Sequence, residues 1–215
     1  MKARIGFTLV IILALASLTA VVPKALAGDY DWRASLARQY VQGTWFGTGT
    51  NGCLVAAPGT GFTDTLVPTG GVSFQSSTVQ GTLNIKADGT GTGEFTEFPL
   101  THPPAAGVGA SSSKYSVSYT YTFADDGTLT VTFLSVAGEV LAGPSAGVSF
   151  NLTPPPLTGR ISRDGNIMLL STEAPTANAT ASSAVETLQI VGGPSFHRIC
   201  SRMRVFARIH ASADN

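Results

Sequence analysis

The sequence predicts an all-β chain: an eight-stranded antiparallel up-and-down β-barrel with a short N-terminal helix, following a cleaved signal peptide. Three observations predict it. Asp-Gly pairs recur at Asp88-Gly89, Asp126-Gly127 and Asp164-Gly165, 38 residues apart each time. Runs of apolar–polar alternation flank these pairs, and Asp-Gly between alternating apolar residues is a strong hairpin signal. The two cysteines, Cys53 and Cys200, stand near the two ends of the alternating region.

The N-terminus reads as a leader. Lys2 and Arg4 precede an apolar stretch over 5–22, and Ala25-Leu26-Ala27 supplies a small-x-small cleavage pattern, so 1–27 is expected to be removed. The stretch is interrupted by Thr8, Ser17 and Thr19 and sits at the short edge of the ~20 residues that span a bilayer. Residues 28–215 then form a single domain, exported to a periplasmic or extracellular compartment. The chain carries 13 basic and 13 acidic residues, and loss of Lys2, Arg4 and Lys24 leaves the remainder weakly acidic. Such a surface has no electrostatic footprint for nucleic acid, and no integral membrane segment is expected in the mature chain. In an oxidising compartment Cys53 and Cys200 read as one disulfide. It closes a loop of 147 residues, a constraint of about 4–5 kcal/mol on a chain-entropy argument.

The elements follow in order. A short helix is expected over about 32–40, and the barrel over about 40–209. Strand one covers 40–48 and carries Trp45. Leu83 and Ile85 lead into the first Asp-Gly turn, and Gly91, Gly93 and Phe95 lead out of it. The second turn has the clearest pattern. Tyr115, Val117, Tyr119, Tyr121 and Phe123 alternate with Ser and Thr before it, and Leu129, Val131 and Phe133 alternate with Thr after it. A period of two over such a length marks a strand with one buried face. Leu157 and Ile161 precede the third turn, 167–170 follows it, and 196–209 is strand eight. The Asp-Gly turns join strands two to three, four to five and six to seven, so they share one end of the barrel. The long Gly-, Pro- and Ser-rich connections over 49–71, 99–113, 138–156 and 173–193 belong to the other end. Closure makes the first and last strands neighbours, which brings Cys53 to Cys200.

Gly43-Thr44-Trp45 behind a short helix resembles the Gly-x-Trp opening of the lipocalins, within the wider calycin group of barrels. The resemblance implies a basic residue of the last strand packed over the tryptophan, for which Arg204 and Arg208 are the candidates. It covers those few positions and the barrel plan, and it implies a ligand-binding interior without naming the ligand.

Two groups of residues could carry function. Arg198, Arg202, Arg204 and Arg208 share one face of strand eight. Facing inward they would form an anion-binding lining. Buried unpaired arginines are costly, so the sequence instead favours Ile199, Met203, Val205, Ala207 and Ile209 inside. The second group is the row Tyr115, Tyr119, Tyr121 and Phe123, which with Trp45, Leu83, Ile85, Val117, Leu129, Val131 and Phe133 forms the candidate interior. That set suits a ligand cavity and equally a filled core, because eight strands enclose a space that side chains just occupy or that holds one small ligand. No catalytic constellation, metal-ligand spacing or cofactor motif is present in the sequence, and Glu94 and Glu97 fall on opposite strand faces. The expected function is an exported soluble barrel that binds a small, largely apolar ligand through its long-loop end. A non-enzymatic interaction scaffold with a filled core is the alternative, and an outer-membrane barrel a more distant one.

Overall fold

The structure, a computed structural model, describes residues 38–105, 108–173 and 181–209. The leader, its cleavage site and most of the expected helix lie outside the described residues; helical backbone is seen at 38–41.

Eleven strands form one antiparallel sheet: β1 (Gly43–Ala56), β2 (Val72–Ile85), β3 (Thr90–Ala105), β4 (Val108–Ala110), β5 (Ser112–Phe123), β6 (Leu129–Ala142), β7 (Ser149–Thr153), β8 (Leu157–Ile161), β9 (Ile167–Thr172), β10 (Val185–Ile190) and β11 (Ser195–Arg208). A single helical turn, Ala181–Ala184, precedes β10. Both β7 and β8 pair antiparallel with β6, and both β9 and β10 pair antiparallel with β11. Each of these couples occupies one strand position. The order is then β1, β2, β3, β5, β6, β7 with β8, β9 with β10, and β11, which pairs back onto β1. The result is a barrel-like ring of eight strand positions.

The Asp-Gly turns are local in origin. Gly89, Gly127 and Gly165 take φ of 86°, 80° and 70°, a region that costs any residue with a Cβ. Asp88, Asp126 and Asp164 each accept a hydrogen bond from the backbone N–H two residues on, at 2.9, 2.9 and 3.3 Å. These bonds hold all three carboxyls below their ordinary range, through hydroxyl and backbone donors on Thr90, Thr128, Ser162 and Asn166.

The strands run further than the sequence suggested. β1 continues to Ala56 and β6 to Ala142, while β7 and β10 fall inside segments read as long connections. Their Gly, Ser and Pro content looked like loop composition. In the sheet a glycine answers a large neighbour: a Cβ on Gly91 would stand 2.3 Å from the Tyr119 ring. Pro154, Pro155 and Pro156 separate β7 from β8 because proline offers no N–H to a ladder.

The inner face divides into two halves. Toward the Asp-Gly turns it is packed and apolar. Trp45, Tyr119, Tyr121, Leu129, Met168 and Phe206 are buried there with Val41, the last residue of the helical backbone at 38–41. The Trp45 indole N–H donates to the Val41 carbonyl at 2.8 Å. Tyr119 and Tyr121 donate their hydroxyls to the carbonyls of Asn84 (3.3 Å) and Lys86 (2.5 Å). A residual void of about 10 Å³ among these side chains is too small for more than one water. This half is core.

The candidate interior site

The opposite half is polar, and β11 is the reason. Arg198, Cys200, Arg202, Arg204 and Phe206 are buried, whereas Ser201, Met203, Val205 and Ala207 are exposed. This corrects the expectation that Ile199, Met203, Val205 and Ala207 turn inward. The register of β1 with β11 sets Cys53 directly opposite Cys200, and their sulfurs are bonded. Period two then places the even-numbered arginines on the cysteine side of the strand. Their desolvation is offset by partners that the spacing of the arginines could not reveal.

The first partner is Glu186 on β10, which is 0 % exposed. β10 pairs with β11 so that Glu186 faces Arg198 directly. One carboxylate oxygen takes the Arg198 guanidinium at 2.5 Å and the other takes Arg202. Burial pushes the Glu186 carboxyl up, but Arg198 and Arg202 beside it outweigh that and hold it below the usual carboxylate range. Glu186 Oε1 also lies 3.0 Å from Cys200 Sγ. The cluster Cys53, Glu186 and Cys200 is no metal centre, because disulfide sulfurs provide no thiolate.

The second set of partners surrounds Arg204. Its Nη1 donates to the carbonyls of Thr50 and Met203, both at 2.9 Å, and its Nη2 donates to Asn51 Oδ1 at 2.6 Å. The Asn51 amide N–H₂ turns the other way, to Ser77 Oγ (2.8 Å) and Glu97 Oε1 (2.7 Å), and Ser77 Oγ also donates to Glu97. One amide therefore relays between a guanidinium and a carboxylate. Burial lowers the pKa of Arg204, while Tyr115 and Glu97 act to raise it. Burial, then the Glu97 charge, pushes the Tyr115 hydroxyl well above the ordinary tyrosine range. A Cβ on Gly49 would stand 2.6 Å from Arg204 Cδ, so this glycine gives the arginine its path.

Between the two halves lies a cavity of about 60 Å³. Its lining joins Arg198, Arg202, Arg204, Asn51 and Glu97 to the apolar side chains of Leu83, Val117, Val131, Phe133, Leu170 and Phe206. The aromatic row is split by this boundary. Tyr115 borders the cavity and stacks on Phe95, with ring centroids 5.5 Å apart, whereas Tyr121 and Phe123 stay in the packed half. All of the candidate interior residues fall in or against one apolar cluster, with Tyr115, Phe123 and Phe133 partly buried. Of the two last-strand arginines, Arg208 lies over the Trp45 ring, 5.2 Å from its centroid, and Arg204 borders the cavity.

Sequence reasoning missed Glu186, Asn51 and Ser77, and it considered Glu97 only against Glu94. The signal for Glu186 was an acid two and four residues before Leu188 and Ile190, on their strand face, hidden by reading that segment as loop. His102 is exposed, His197 Nδ1 lies 3.3 Å from Thr187 Oγ1, and His210 is outside the described residues. No protein-family model matches this chain, and no curated protein matches it in sequence.

Proposed function

We propose that the protein is an exported, soluble, closed β-barrel of calycin-like plan that binds a small, largely apolar ligand in its interior. The observation that carries this reading is the cavity itself, lined mainly by apolar side chains with a cluster of polar ones among them. Pockets of that composition hold small molecules by apolar contact and orient them through a few polar groups. The volume limits the cargo: about 60 Å³ is well under the ~150 Å³ of an apolar cavity that takes benzene. Gly43, Trp45 and the arginine over the indole support the calycin-like plan. The leader pattern and the Cys53–Cys200 bond support export into an oxidising compartment.

The outer face of β5 supports solubility. Lys114, Ser116, Ser118, Thr120 and Thr122 all take its outward positions, where a lipid-facing strand needs apolar side chains. Among the described residues no helix is long and apolar enough to cross a membrane. One observation favours the scaffold alternative. Phe46, Met203, Val205 and Leu169 are 50, 62, 39 and 52 % exposed, and they lie on adjacent strands across β1, β11 and β9. Contiguous apolar surface of that kind marks contacts with other proteins.

The test is a thermal-shift and calorimetric screen of the mature protein with small lipophilic compounds. Saturable binding that Val131→Trp abolishes, in a variant that still folds, supports the interior site. Absence of any stabilising compound, or binding unaffected by filling the cavity, refutes it.

A further inference from the structure

Among the described residues, the charged side chains of the interior cluster are Arg198, Arg202, Arg204, Glu97 and Glu186, three cations against two carboxylates. Glu186 is spent on Arg198 and Arg202, one oxygen each. Arg204 meets only neutral partners directly, two carbonyls, the Asn51 amide and the Tyr115 hydroxyl. A buried positive charge therefore remains, and such charges are stable only when paired or neutralised. Donors remain as well. Arg202 Nη1 and Arg198 Nε are buried and have no hydrogen-bond partner among the described residues. Both arginine side chains are more than nine-tenths buried, and both border the cavity.

We propose that this cluster is a monoanion site, and that the ligand is a short-chain carboxylate of about two or three carbons. Its carboxylate pairs with Arg202 beside the Arg204 charge, and its chain lies against Leu83, Val131 and Phe206. This rests on the interior-binding reading above and adds the charge to it. A guanidinium presents planar, forked donors that match a carboxylate better than a spherical ion. The rest of the lining is mostly apolar, so a short hydrocarbon tail gains burial there that a halide cannot. The packed half limits the length, since the void among Val41, Leu83, Tyr121, Leu129 and Met168 is only about 10 Å³.

The test is calorimetric titration of the disulfide-bonded mature protein in a chloride-free zwitterionic buffer with propionate, propionamide and sodium bromide. Propionate is expected to bind about tenfold or more tighter than propionamide, the margin typical of a charge-assisted hydrogen bond. Bromide is expected to compete with it. Arg202→Met is expected to remove the difference between acid and amide; because that variant leaves Glu186 with one partner fewer, the ligand pair on the wild type decides the matter if it fails to fold. Equal binding of acid and amide overturns the anion site and leaves the interior-binding reading standing. Bromide binding without propionate binding overturns the carboxylate assignment and counts against that reading. Binding of none of the three overturns the anion site, and the lipophilic screen then decides the broader reading separately.

Discussion

Replacing Glu186 with glutamine keeps the size of the side chain and removes its charge, leaving Arg198 and Arg202 facing an amide. Both arginines are about nine-tenths buried, and the carboxylate between them is fully so. Breaking a buried pair by removing one partner costs about 3–5 kcal/mol, because the surviving charge stays desolvated. For a domain of this size, each kcal/mol moves the midpoint by about 2–4 °C, so Glu186→Gln is expected to lower Tm by about 6–20 °C. Urea unfolding should show the same loss with an unchanged m-value. The pH dependence gives a second check. Because the folded Glu186 carboxyl is depressed, its contribution is complete above the ordinary titration near pH 4.5 and is lost as pH falls through the lower folded value. The difference between wild type and variant should therefore be constant at neutral pH and shrink in acid. A loss below about 1 kcal/mol, the range of exposed pairs, refutes the buried-cluster reasoning. So does a difference that does not narrow in acid.

Three further perturbations probe other parts of the structure. The double variant Cys53→Ala/Cys200→Ala should lose about 2–5 kcal/mol, and reductant should lower the wild-type Tm while leaving the variant's unchanged; equal Tm values for oxidised wild type and variant contradict this. Gly91→Ala should cost about 1–3 kcal/mol by urea unfolding, since its Cβ meets the Tyr119 ring, whereas Gly109→Ala, with open space around it, should change stability by less than about 0.5 kcal/mol. Trp45→Ala should cost about 3–5 kcal/mol, and a double-mutant cycle with Arg208→Met should return a coupling of about 0.5–1 kcal/mol for the stacked pair. A coupling of zero would mean that Arg208 does not interact with the indole.

Much of the plan was legible because its signals are local. Asp-Gly turns, strict alternation around Tyr115–Phe123 and one cysteine pair suffice to order the strands and to set the first beside the last. The inward face of β11 was not legible from that strand alone. Its alternatives, an arginine face and an apolar face, are decided by Glu186 on β10 and Asn51 on β1, partners supplied by the strands paired with it. A local irregularity hid another part. The register of β5 on β6 shifts between Ser118 and Tyr119, so the inward positions of β6 change from odd to even, and Val136 is buried while Leu134 is exposed. Alternation counted forward from Leu129 misassigns everything beyond that bulge.

The central claim is that the arginines of β11 point into the ring and hold a net positive charge beside the cavity. An anomalous difference map from crystals grown in sodium bromide tests it most directly. The claim predicts an interior peak at hydrogen-bond distance from Arg202 Nη1, with Met203 and Val205 on the outside. Arginine side chains found in solvent, or an interior in which no bromide peak occurs, would contradict it.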